Sequence, residues 1–197
     1  MSKIYFLCSA ESVADMKKVF GMDLPLSDKG AIQAIHAHKL YVNATISTVI
    51  SSSMLRAFMT AREIFSEKKG FIIDKRFDEI NFGAMEGLPM TNFAKKRISE
   101  NIWNLKDTCK GDDVEERVKD ALITLYSYAK SASGDVVLVS HDGIMECMLE
   151  KIGFTNEAIQ KEGGFKFWNE SCKIPPTRAF TINRDSFCNA VRTIYAK

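Results

Sequence analysis

Three short apolar runs, each breaking off at small polar residues, constrain this chain more than anything else in it. "KIYFL" stops at Cys8, "ISTVIS" runs up to Ser52, and "DVVLV" stops at Ser140. β-Branched and aromatic residues in runs of this length read as strands, and the near-absence of polar alternation predicts strands buried on both faces, as in a parallel sheet. Between them lie helical patterns at residues 27–42, with Ser27 as N-cap, at 53–68, and at 112–132, opened by Asp112 or Asp113. A fourth helix follows Gly143 and ends at Gly153. This alternation predicts a three-layer α/β/α fold with a mostly parallel central sheet.

The rest of the chain is less regular. Residues 87–111 read as a partly helical excursion and 154–176 as an irregular one. "TRAFTIN" and "CNAVRTIYA", meeting at Arg184 and Asp185, predict a hairpin at the sheet edge. No repeat, low-complexity run or linker divides the 197 residues, so they read as a single domain, 1–197, able to bury roughly 70% of its unfolded surface.

Charge and composition remove several classes. Lys plus Arg (27) against Asp plus Glu (25) leaves +2, too little to predict a nucleic-acid or membrane surface. The opening "MSKIYFLCSA" has an apolar run too short for a signal peptide or a membrane span, so the chain reads as cytoplasmic. Five cysteines, an odd number without a C-x-x-C pair, predict neither a disulfide framework nor a zinc site. His36 and His38 on one helix point about 200° apart and cannot share one metal ion.

Ligands in open α/β sheets bind at the carboxyl ends of the strands. That places Cys8, Ser9, Ala10 and Glu11 after the first strand, Arg56 after the second and His141 after the third. A fixed cation, an imidazole and a helix N-terminus in one crevice describe an anion site, with phosphate the commonest biological candidate. Glu79, in "RFDEINFGAMEGLPM", sits among Phe77, Ile80 and Phe82. A carboxyl in such surroundings has its pKa raised and can donate a proton, or it can serve as a buried ion-pair partner. Lys95, Lys96 and Arg97 form either a solvated helix face or a steering patch for an anionic substrate.

Taken in order, "LSDKG", "SSSMLRAFMTA", "EINFGAMEG" and "VLVSHDG" resemble the motifs of the histidine phosphatase superfamily, the phosphoglycerate mutase-like group. The resemblance covers most of the chain and implies a phosphoglycerate mutase-like fold. It also implies roles: Arg56 as phosphate clamp, Glu79 as proton donor and His141 as the second phosphoryl-binding histidine. No metal or cofactor is needed in that family, and none is expected here.

One stretch departs from the pattern. Where the family has Arg-His-Gly-Glu, this chain has Cys8-Ser9-Ala10-Glu11, so Cys8 stands at the first phosphate-binding arginine and Ser9 at the nucleophilic histidine. Asp15 replaces a common Asn that would also face the phosphate. A serine hydroxyl must be deprotonated to attack phosphorus and reaches less far than an imidazole, and misplacement by about an ångström costs ~100-fold. The resemblance thus implies an inactive or nearly inactive homologue that binds a phosphorylated small molecule or a protein partner. Two alternatives are an active phosphomonoesterase using another nucleophile or water, and a structural protein whose crevice is filled by its own side chains.

Overall fold

Five strands pair in the order β3-β2-β4-β1-β5 in the computed structural model, which describes residues 2–41, 44–66, 71–155 and 179–195. They are β1 (Lys3–Cys8), β2 (Ile46–Ser51), β3 (Phe71–Ile73), β4 (Asp135–Ser140) and β5 (Ala179–Asn183). β1 to β4 run parallel, and β5 closes one edge antiparallel to β1. The described helices are α1 (Val13–Lys17), α2 (Asp28–Tyr41), α3 (Leu55–Phe65), α4 (Asn92–Ser99), α5 (Leu105–Cys109), α6 (Val114–Ser131), α7 (Asp142–Lys151) and α8 (Arg184–Tyr195).

The central strand shows why apolar runs without alternation belong here. Every residue of β4 is buried. Its side chains divide by parity, as strand geometry requires. Val136 and Leu138 join Ile4, Phe6, Leu122 and Phe187 in the layer under α6, α7 and α8. Val137 and Val139 join Leu7, Ala34, Ala61 and Ile64 in the layer under α2 and α3. Each face is covered by helices, giving the expected three layers.

Caps fix where the helices begin. Ser27 Oγ accepts the Gly30 N–H at 3.0 Å and opens α2, while Asp113 accepts the Glu116 N–H at 3.2 Å and opens α6. Gly30 has a second reason to be glycine, because a Cβ there would stand 1.9 Å from the carbonyl oxygen of Glu11. α7 begins one residue before Gly143, and Gly153, at φ +92°, follows its end.

One expectation fails at the C-terminus. β5 is an edge strand, but the segment after it is helix α8 and not the return strand of a hairpin. Phe187 and Val191, four residues apart, are buried against the core, and Asn183 Oδ1 caps the helix by accepting the Ser186 N–H at 3.1 Å. The excursion at 87–111 contains α4 and α5, whereas residues 156–178, most of the second excursion, lie outside the described residues. No helix among the described residues is long and apolar enough to cross a membrane.

Candidate functional site

The carboxyl ends of β1, β2 and β4 form one crevice floor. Ser9 N–H donates to Ser140 O, and Ser52 N–H donates to Val139 O, both at 2.9 Å, so the three strand tips are tied edge to edge. From this floor rise Ser52 and Arg56 after β2, His141 and Asp142 after β4, and Cys8 and Ser9 after β1.

Ser52 organises one side. Its single hydroxyl hydrogen goes to Asp78 Oδ1 at 2.7 Å, and its oxygen accepts from Met54 N–H at 3.1 Å. His141 Nε2 lies 2.8 Å from the same oxygen, which has no hydrogen left to give, so Nε2 carries the ring proton and Nδ1 holds the lone pair. Nδ1 is buried and has no hydrogen-bond partner among the described residues. Burial, with the Arg56 and Arg117 charges nearby, holds the His141 pKa well below its ordinary value, so the ring is neutral at pH 7.

Asp78 also accepts from the Ser53 N–H and hydroxyl, both at 2.7 Å, which keeps it from turning into the crevice. Arg56 is buried in the first turn of α3, with one guanidinium nitrogen donating to Met22 O at 3.0 Å. Thr60 Oγ1 donates to Arg56 O at 2.7 Å and accepts the Ala10 N–H at 3.0 Å, locking α3 to the loop after β1.

The other side is acidic. Glu79 Oε1 accepts the N–H groups of Ile80 at 2.9 Å and Ile144 at 3.2 Å, the second belonging to the first turn of α7. Burial, then the neighbouring Asp142, raises the Glu79 pKa to about 8, so this carboxyl is largely protonated at pH 7. Asp142 is the first residue of α7. Burial and the Asp15 charge push its pKa up to about 6, while the N–H groups of Asp142 and Gly143 and the Arg56 cation favour its ionised form. The donors at the head of α7, where an external anion would sit, therefore face carboxyls of the chain itself.

The sequence-predicted residues separate accordingly. Arg56, Glu79 and His141 come together, and Cys8 joins them. Burial and the charges of Asp142, Glu79 and Asp15 raise the Cys8 thiol well above its ordinary pKa, so it is not a thiolate. Ser9 is at the strand tip, but the ring nitrogen that carries the His141 proton is committed to Ser52. Asp15 closes a capping box instead, its Oδ2 accepting from both Ser12 N–H and Ser12 Oγ–H at 2.7 Å. Glu11 ties the loop to α2, accepting from Ser27 Oγ at 2.8 Å and Lys29 Nζ at 2.7 Å.

A model of the histidine phosphatase superfamily, branch 1, matches residues 4–163. The chain belongs to that family. No curated protein is similar enough in sequence to be matched to it. Among solved structures, a mycobacterial glucosyl-3-phosphoglycerate phosphatase complexed with VO3 is similar in fold, with a TM-score of 0.66 at 18% identity over 79% of this chain and 84% of that one. So is a phosphoglycerate mutase from Thermus thermophilus, at 0.59 and 19% over 77% and 85%.

Within this histidine phosphatase fold, sequence reasoning missed two features. Asp142 carries the clearer signal, because in "SHDG" a carboxylate directly follows His141 and opens the next helix. Asp78, which orients Ser52 and through it His141, has no such signal. It lies beside Glu79 in the chain and 26 residues from Ser52.

Proposed function

We propose that this chain is a non-catalytic histidine phosphatase that works by binding, with the family crevice filled by its own carboxyl groups. The observation that carries the reading is Asp142. A phosphate approaching Arg56 meets Glu79 and Asp142 beside the guanidinium, and Glu86 adds a third carboxyl within that cation's field. Loss of the first arginine and of the histidine nucleophile removes the reactive partner, and the Asp142 carboxylate then removes the anion's seat. Absence of the nucleophile alone can lower turnover by roughly 10⁶.

The test is a series of proteins assayed on an activated phosphate ester. The natural chain and the Cys8→Arg/Ser9→His variant are expected to stay near background. Adding Asp142→Gly to that pair is expected to raise turnover by at least ~100-fold, since one repelled charge in a low-dielectric site is worth several kcal/mol. Turnover by the natural chain, or full activity in the double variant without Asp142→Gly, overturns the reading.

One observation favours a second reading, a phosphomonoesterase that activates water. Glu79 holds a proton at neutral pH and could protonate a leaving alkoxide. Its base would have to be His141 Nδ1, which is buried from solvent. Natural-chain activity lost in His141→Ala but kept in Ser9→Ala supports it, and loss in neither or in both counts against it.

A further inference from the structure

Helices α6 and α8 pack side by side under the sheet, and a solvent-open groove of about 360 Å³ runs between them, with Ala129 and Cys188 among its lining. On α8, Arg184, Cys188 and Arg192 follow one another at four-residue intervals along the lining, and Tyr126 and Lys130 face them from α6. Phe187 and Val191, on another face of α8, hold that helix to the core, so the polar ridge is turned to the groove by the same packing that secures the helix.

This place is remote from the crevice. Arg184 follows Asn183, which pairs with Lys3 at the start of β1, while Cys8 ends β1 at the crevice. The length of the strand, roughly 17 Å, lies between them.

The lining is rich in donors and positively charged. Three cations, Lys130, Arg184 and Arg192, face one carboxylate, Asp185. That local excess of two equals the net charge of the entire chain, +2. Arg184 is held in place, because its Nη1 donates to Ala132 O at 2.7 Å and Gly134 O at 3.2 Å, and its other nitrogens have no hydrogen-bond partner among the described residues. Arg192 donates to Asn189 Oδ1 at 3.0 Å, which uses the amide's acceptor and leaves its NH2 group as a donor. Ordering such groups in advance lowers the cost of binding.

We propose that the α6/α8 groove is a second ligand site, built for a small phosphate monoester. A monoester carries close to two negative charges at pH 7 and has only acceptors at its head, which matches the excess charge and the donor-rich lining. The volume is at the lower end of small-molecule pockets and suits a phosphate with a short hydroxylated body. The proposal is independent of whether the crevice turns anything over.

Thermal unfolding of the full chain in inorganic phosphate, glucose 6-phosphate and glucose tests it, alongside protection of Cys188 from alkylation read at the peptide level. Glucose 6-phosphate at about a hundredfold excess over Kd is expected to raise Tm by roughly 5–10 °C and to shield Cys188, with phosphate weaker and glucose without effect. Because Arg184 is tied to backbone carbonyls, the variant of choice is Lys130→Gln/Arg192→Gln, whose exposed side chains can be changed without unfolding the pair of helices. It is expected to bind at least ~10-fold more weakly, whereas Arg56→Gln binds as the natural chain does. Equal binding by the α6/α8 double variant, loss of binding in Arg56→Gln, or no shift with either phosphate compound overturns the proposal.

Discussion

The two sides of the crevice are built on different terms. On the side of β2 and α3, Ser52 uses its hydrogen and both lone pairs, and Asp78 takes three donors from Ser52 and Ser53. On the side of β1 and α7, Cys8 and Ser9 present small side chains, and the helix head faces Asp142 and Glu79. The first side is a hydrogen-bond network centred on Ser52 and Asp78, with His141 Nδ1 left over from it. The resemblance read from the sequence puts the nucleophile position on the second side, where this chain has Cys8 and Ser9.

The largest effect expected from this contrast is on stability. Ser52→Ala strips a partner from Asp78, from the His141 Nε2–H and from the Met54 N–H together, and is expected to cost roughly 2–4 kcal/mol in urea unfolding. Ser9→Ala, on the other side, should stay within about 0.5 kcal/mol. Similar losses in both would erase the distinction.

Next in size is a pH effect confined to the acidic side. Glu79 and Asp142 have folded-state pKa values of about 8 and about 6, above those of unfolded carboxyls near ~4. The folded state therefore binds more protons in this window, and stability falls as pH rises from about 4 to about 8, by an amount on the order of a few kcal/mol. Asp142→Asn removes one titration and lowers the Glu79 pKa, so the slope should flatten, and ¹³C titration of Glu79 should show its midpoint move down. An unchanged midpoint would mean that Asp142 and Glu79 do not share a field.

Smaller effects separate the parts of the loop after β1. Ser27→Ala removes the α2 cap and one hydrogen bond to Glu11, with an expected loss of about 1–2 kcal/mol. Lys29→Ala breaks only an exposed ion pair to the same carboxylate and should change stability by at most ~0.5 kcal/mol. A Lys29 effect as large as that of Ser27 would show that charge rather than capping holds Glu11.

How far these features were legible in the sequence depended on whether they were local. Strand tips, the Ser27 and Asp113 caps and the Arg56, Glu79 and His141 cluster follow from apolar runs, capping residues and motif spacing. The C-terminal helix is hidden because "CNAVRTIYA" alternates over a few residues, and only the longer interval from Phe187 to Val191 shows the helical stripe. β3, three residues long, offers too little pattern to be recognised. Asp15 was expected at the anion because its neighbours match the family, yet Ser12 three residues earlier claims it through a local capping box. The Ser52–Asp78 bond joins separate segments and is visible only after folding.

On the proposed reading, Asp142 also acts as a competitor that never leaves. A free anion must enter a helix head already facing a carboxylate on the same backbone, and groups held in place intramolecularly act at effective concentrations far above those of dissolved metabolites. Raising the concentration of a phosphate ester therefore gains little there. Protonating Asp142, which titrates near pH 6, weakens the competitor without any change of sequence, so the crevice should accept anions more readily in mild acid than at neutral pH.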